Sequence, residues 1–163
     1  MKRIARFEKV SFRQFSDGWD DTFQAIEKGE NKDQSKETLK EIYDRIKLPR
    51  RATAGSAGYD FFAPVDIILN PGETIKIPTG IRVWMEPEWV LKCYPRSGLG
   101  FKFRLQLNNT VGIIDSDYYN SDNEGHIFAK LTNDSNEEKT VTDQSRRGLY
   151  AGDFCGIWNH GGR

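Results

Sequence analysis

The sequence predicts an all-β domain of barrel or sandwich type, and three observations carry that prediction. From Pro49 onward apolar residues recur with a period of two in the short runs "ETIKIP", "GIRVWM", "WVLKCY", "FKFRLQL" and "GHIFAKLTN", the pattern of half-buried strands. Each run is bounded by turn chemistry; in "NPGE", Pro71 and Gly72 stand where a type II turn wants them. A chain of 163 residues buries one core well and two poorly, so the strands belong to a single β domain.

The segment "MKRIARFEKVSF" alternates weakly, and "FSDGWDDTFQAIEKGENKDQ" starts a short helix before losing its apolar period. In "SKETLKEIYDRIKLP", Leu39, Ile42, Tyr43 and Ile46 share one helical face, Ser35 is placed to cap the start, and Pro49 enforces the stop. Residues 1–46 therefore read as an exposed docking arm with an amphipathic helix, residues 47–142 as the β domain, and residues 143–163 as an irregular tail.

Lys plus Arg and Asp plus Glu balance at 24 each, so no global field favours nucleic acid or an acidic membrane surface. No apolar stretch approaches membrane-spanning length. The two cysteines, Cys93 and Cys155, stand far from each other, and no basic start leads into an apolar run, so a cytoplasmic protein is expected rather than a secreted disulfide scaffold. Cys93, Cys155, His126 and His160 lack paired ligand spacing, which argues against zinc.

Three turns carry candidate chemistry. "YPRSGLG" follows a strand and offers the forked cation of Arg96, the hydroxyl of Ser97 and the approachable amide of Gly98, together a phosphate cradle; taken alone, such a turn is more often plain surface. "NNTVGIIDSDYYNSDNEG" gathers Asp115, Asp117 and Asp122. A calcium loop starting at Asp115 fails, because Asn120 stands where the sharp turn demands glycine. Two readings stay open: a polar hairpin whose aspartates bond their own backbone, or a carboxylate held by the apolar "VGII" strand and able to orient a water as general base. "TAGSAGYDFFAP" lets chains pack closely and places Asp60 where it can brace a neighbouring polar group.

Taken together, "SAGYDFFAP", "YPRSGLG" and "NNTVGIIDSDYYN", in this order and spacing, resemble the first three of five motifs of the homotrimeric dUTP diphosphatase (dUTPase) family, over about residues 47–142. The resemblance implies a distorted jelly-roll subunit, a trimer with each active site built from more than one chain, and magnesium-dependent splitting of dUTP into dUMP and pyrophosphate. By the same resemblance, Asp115 would hold the attacking water against the α-phosphorus, and Arg96, Ser97 and Gly98 would hold phosphates. Asn109 would meet the uracil edge, and the hairpin through Gly112, Ile113 and Ile114 would leave no room for thymine's methyl. Tyr118 would lie against the deoxyribose and Phe128 near the nucleotide, with Asp60 and Asp117 as supporting groups and magnesium held mainly by phosphates and water. The related dCTP deaminase branch shares the fold, but "IDSDYYN" fits the diphosphatase better.

The tail departs from this pattern. The fourth and fifth motifs, a glutamine near the phosphates and a Gly-rich closing arm, are absent from the written sequence. Allowed codons for Asp143–Arg163, read one nucleotide later, encode "IKAGEGFMQGIFVEYGITED", which resembles the missing fourth motif. A frameshift near Thr142 is one reading and a divergent C-terminus capped by Phe154, Ile157 and Trp158 is the other; either leaves room for a nucleotide-binding relative with impaired turnover.

Overall fold

A computed structural model describes residues 4–27, 38–141 and 156–159. The strands are β1 (Ala5–Lys9), β2 (Ile67–Leu69), β3 (Thr74–Pro78), β4 (Ile81–Met85), β5 (Trp89–Cys93), β6 (Leu105–Leu107), β7 (Gly112–Ile114), β8 (Phe128–Asn133), β9 (Lys139–Val141) and β10 (Gly156–Asn159). The helices are α1 (Phe12–Glu27), α2 (Leu39–Arg45) and α3 (Ser97–Phe103), with a 3-10 turn at Ser116–Asn120. All the strand pairings are antiparallel, in sheets ordered β1-β4, β10-β5-β7, β2-β9 and β3-β8-β6. Among the described residues no helix is long and apolar enough to cross a membrane.

The period of two translates directly into burial. Ile75 and Ile77 of β3, Ile81, Val83 and Met85 of β4, and Ala129 and Leu131 of β8 point inward, joining Phe61, Leu91, Leu99, Leu105 and Ile127 in one core. The expected turn at Pro71–Gly72 forms, with Gly72 at φ 78° and the Glu73 amide donating to the Asn70 carbonyl at 3.0 Å. "FKFRLQL" departs from expectation: Phe101–Phe103 finish α3, and only Leu105–Leu107 are strand. Arg104 adopts φ 55° and donates its amide to Gly100, a left-handed helix end that alternation does not signal.

The described N-terminal residues, 4–27 and 38–46, are not an exposed arm. β1 pairs along β4, and Phe7 packs edge-on against Tyr59 and Phe61 at centroid distances of 5.3 and 5.6 Å. In α1, Phe15, Gly18, Trp19, Thr22 and Phe23 fall on one face, which lies against β3, and Phe15 is fully buried. Helix α2 uses the expected face, with Ile42 buried and Leu39, Tyr43 and Ile46 beside it. Its cap is Thr38, which forms a capping box with Glu41; Ser35 lies outside the described residues. The tail, expected to be irregular, contributes β10, whose Gly156–Asn159 pair with Lys92–Trp89 of β5; its remaining residues lie outside those described.

One junction ties these layers together. Gly80, at φ 70°, donates its amide to Nε2 of fully buried His126 at 2.9 Å and accepts the Val10 amide at 3.0 Å. The positive φ favours glycine here, and a Cβ would also crowd the Ile46 Cδ1 at 2.4 Å and the Phe15 ring at 3.2 Å. Nδ1 of His126, turned toward the Gln14 backbone, lacks a hydrogen bond of normal geometry.

Two predictions arise. Burial, aided by the Lys76 charge, pulls the His126 imidazole down to about 4 from its ordinary 6.5. The unfolded chain takes up this proton as the pH drops through 6.5, whereas the folded chain takes it up near 4, so stability falls across that window by about 3 kcal/mol and then levels. Urea unfolding at pH 7 and 5 reads about 2 kcal/mol of this loss, the part accrued above pH 5, and a neutral-form imidazole NMR signal at pH 5.5 identifies its source. The second concerns Gly125, at φ 71°, where an added Cβ would meet the Tyr119 Cα at 2.8 Å and the Tyr118 carbonyl oxygen at 2.9 Å. Gly125→Ala is expected to cost about 1–3 kcal/mol, read from the urea midpoint.

Candidate active site

Strand β7 brings the carboxylate segment to the surface. It pairs with β5 in the register Cys93↔Gly112, Lys92↔Ile113 and Leu91↔Ile114, and the chain then turns at Asp115 into the 3-10 helix. Ile113, Ile114, Asp115, Asp117, Tyr118 and Ser121 line an open groove of about 490 Å³. Asp115 and Asp117 are exposed within it. The Asp115 side chain makes no capping hydrogen bond, while its carbonyl accepts the Tyr118 amide at 3.2 Å. A carboxylate held by its backbone, with its oxygens toward solvent, can orient a water and accept its proton.

Tyr118 is fixed from behind. Its hydroxyl donates to the His126 carbonyl at 3.0 Å and accepts from Asn123 Nδ2 at 2.8 Å, so the phenol faces inward while the ring borders the groove. Ser121 Oγ lies 2.7 Å from the Tyr118 carbonyl oxygen and 2.6 Å from Asn123 Oδ1, tightening the turn that ends at Gly125.

At the opposite end of the β5–β7 ladder, Gly112 is buried against Cys93. A Cβ at Gly112 would approach the Cys93 Cβ at 3.1 Å and Asn109 Nδ2 at 3.4 Å, so glycine allows the strands this proximity. Asn109 is exposed beside it. The expected hairpin through Gly112–Ile114 is instead a corner, since β6 joins β8 and β7 joins β5 in a different sheet. Beyond Cys93 the chain passes Arg96 into α3, where the Leu99 amide donates to the Arg96 carbonyl at 2.9 Å and Gly98 has open space where a Cβ would stand. Asp60, bridged to Arg50 through the backbone, holds its carboxylate 3.7 Å from the half-exposed Arg96 guanidinium. A pair this exposed orients Arg96 more than it stabilises the fold.

The ladder therefore brings the sequence candidates together in two groups rather than one. Asp115, Asp117, Tyr118, Ile113 and Ile114 border the groove, whereas Arg96, Ser97 and Gly98 do not line it. At about 3.3 Å per residue, Asp115 stands roughly 10 Å along the strand from Gly112, and Arg96 lies past the other end. Phe128 belongs to neither group. It stacks on His126 at 4.2 Å with the Lys76 ammonium 4.3 Å over its ring, beneath α1. The reason is strand parity, which turns Phe128 toward the N-terminal helix. Glu8, Arg82, Tyr119, Ser11 and Glu124, which hold the segment after Asp115 in place, escaped the sequence reading: Ser11 and Glu124 meet across 113 positions with no local signal.

Comparison with known proteins bears on the family and the fold. The dUTPase family model matches residues 44–146. A deoxyuridine 5'-triphosphate nucleotidohydrolase of Lactococcus lactis is 44% identical over 102 residues, covering 62% of this chain and 68% of that protein. A protein of the same name from Neisseria meningitidis is 43% identical over 97 residues, covering 58% of this chain and 61% of the relative. The chain thus spans roughly two thirds of the length of these relatives. The crystal structure of a dUTPase from Streptococcus mutans matches with a TM-score of 0.60 and 34% identity over 69% of this chain and 84% of that one, in keeping with a jelly-roll-like β fold. With its three ordered motifs inside a match that covers more than half its length, the chain belongs to the dUTPase family.

Proposed function

We propose that this protein hydrolyses dUTP to dUMP and pyrophosphate at a site shared between subunits. The observation that carries this reading is the β5–β7 register, which separates the Asp115 groove from the Arg96 turn on one chain. Two half-sites at opposite ends of one ladder become a whole site when the groove of one subunit meets the phosphate turn of another, as in the homotrimer that the resemblance implies.

In that site the Asp115 carboxylate accepts a proton as a water oxygen forms a bond to the α-phosphorus, and the bond to the bridging oxygen breaks, releasing pyrophosphate. Arg96 neutralises phosphate charge while Ser97 and the Gly98 amide donate hydrogen bonds. Asn109 faces the uracil edge, the Gly112–Ile114 corner closes the slot to a thymine methyl, and the Tyr118 ring, its hydroxyl tied back to His126, supports the deoxyribose. Phe128, packed beneath α1, has no part in the groove of its own chain. Asp60 and Asp117 stay supporting groups, the first through Arg96.

Magnesium suits the donors at the groove. Among the described residues no group of three or more His, Cys, Asp or Glu could hold a metal, yet exposed hard oxygens of Asp115 and Asp117 stand at the groove. That set suits an ion that keeps its waters and arrives on the triphosphate, where it would neutralise charge on the phosphate oxygens.

A second reading, nucleotide binding with little turnover, is favoured by the family match ending at residue 146, shortly after Thr142. Asp115→Asn is expected to lower pyrophosphate release from dUTP by roughly 10²- to 10⁴-fold with dUTP binding retained; parental rates would remove Asp115 from the role of base.

A further inference from the structure

The N-terminal residues that precede the family match reach directly into the segment after Asp115. β1 lies along β4 with Glu8 opposite Arg82. The Tyr119 hydroxyl donates to Glu8 Oε2 at 2.7 Å, Arg82 Nη2 reaches the same oxygen at 3.0 Å, and the Arg82 guanidinium lies 4.3 Å over the Tyr119 ring. Five residues on, Glu124 receives the Ser11 amide on Oε2 at 2.7 Å and the Ser11 hydroxyl on Oε1 at 2.6 Å. Burial alone would push the Glu8 carboxyl up, but the Tyr119 hydroxyl and the Arg6 and Arg82 guanidiniums hold it below its ordinary value. Glu124 is held low by the Ser11 hydroxyl and amide. Both groups are thus carboxylates at neutral pH and accept at full strength.

These contacts clamp the 3-10 turn from two sides. Tyr118, next to Tyr119, donates its amide to the Asp115 carbonyl, so a shift of Tyr119 is passed to both groove residues. The internal knot of Tyr118, Asn123 and His126 fixes the inner side of the loop; Glu8 and Ser11 fix the outer side. We propose, resting on the dUTP-hydrolysing reading above, that Glu8 and Ser11 are positioning residues for hydrolysis: through Tyr119 and Glu124 they hold Asp115 and Tyr118 at the angle the attacking water requires. They touch no substrate. The N-terminal extension is then a built-in brace of the catalytic loop, and its influence appears in turnover more than in substrate affinity, because misplacement of reacting groups is felt mainly in the transition state.

The test uses the full chain and its Tyr119→Phe, Glu8→Ala, Glu8→Gln and Ser11→Ala variants. Two measurements are made: steady-state hydrolysis of dUTP, and amide hydrogen exchange across residues 115–125 without nucleotide. Tyr119→Phe deletes one oxygen and keeps the ring under Arg82; it is expected to lower kcat about 10-fold, the scale of one hydrogen bond to a charged group, with KM little changed. Glu8→Ala lowers kcat at least as far, and Glu8→Gln, which still accepts from Tyr119, recovers much of that loss. Exchange at Tyr118 and Ser121 rises in step with the lost turnover. Unchanged exchange in Tyr119→Phe and Glu8→Ala overturns the brace, as does faster exchange with unchanged kcat. If the parental chain does not hydrolyse dUTP, the activity reading fails separately; the brace on the loop then stands if exchange across residues 115–125 rises in Tyr119→Phe and Glu8→Ala, and falls if it does not.

Discussion

The contact on which the rest of this structure depends is the backbone of Gly80, caught between the imidazole of His126 and the amide of Val10. A buried imidazole accepting a main-chain amide is worth little as a single hydrogen bond and costs a great deal if left unmatched, so the layers on either side of it are fixed together. On one side stand Val10, Phe15 and Ile42, the small core of the N-terminal elements. On the other, Ile81 and Ile127 belong to the barrel core, and the Ile127 amide donates to the Ile81 carbonyl. Because His126 also offers its carbonyl to Tyr118, the same residue connects helix packing to the floor of the groove.

This continuity explains how an exposed carboxylate acquires a defined position. Asp115 has no buried partner of its own. Its place follows from the ladder before it, where Gly112 and Cys93 are packed against each other, and from the turn after it, where Gly125 crosses closely over Tyr118 and Tyr119. Strong constraint at both flanks leaves the carboxylate itself exposed to solvent, where it can meet a water. Arg96 is treated similarly at the other end, its guanidinium oriented by Asp60 yet still half exposed.

Much of this was legible in the sequence. The strands with clean alternation, β3, β4 and β8, stand where their pattern put them, and the three ordered motifs identified the family, the third of them bordering the groove. Two kinds of information were not legible. Long-range polar pairs such as Ser11 with Glu124 and Glu8 with Tyr119 have no local signature, since either partner alone looks like an ordinary surface residue. The amphipathic stripe of α1 was present at Phe15, Gly18, Trp19, Thr22 and Phe23, but glycine and threonine in a buried face weaken the apolar period and made an integrated helix read as part of an arm. Phe128 illustrates a third limit: an aromatic one residue into a strand faces whichever side parity dictates, and here that side carries the N-terminal helix.

Strand β10 has a consequence for how the protein behaves in concentrated solution. β5 is paired on one side by β7 and on the other by Gly156–Asn159, so its row of amides and carbonyls is occupied on both flanks. A β5 stripped of this cover would present an open ladder beside Val90 and Leu91, a ready template for edge-to-edge association with other chains. The short final strand acts as a guard against aggregation, through main-chain groups that any extended segment without proline could supply.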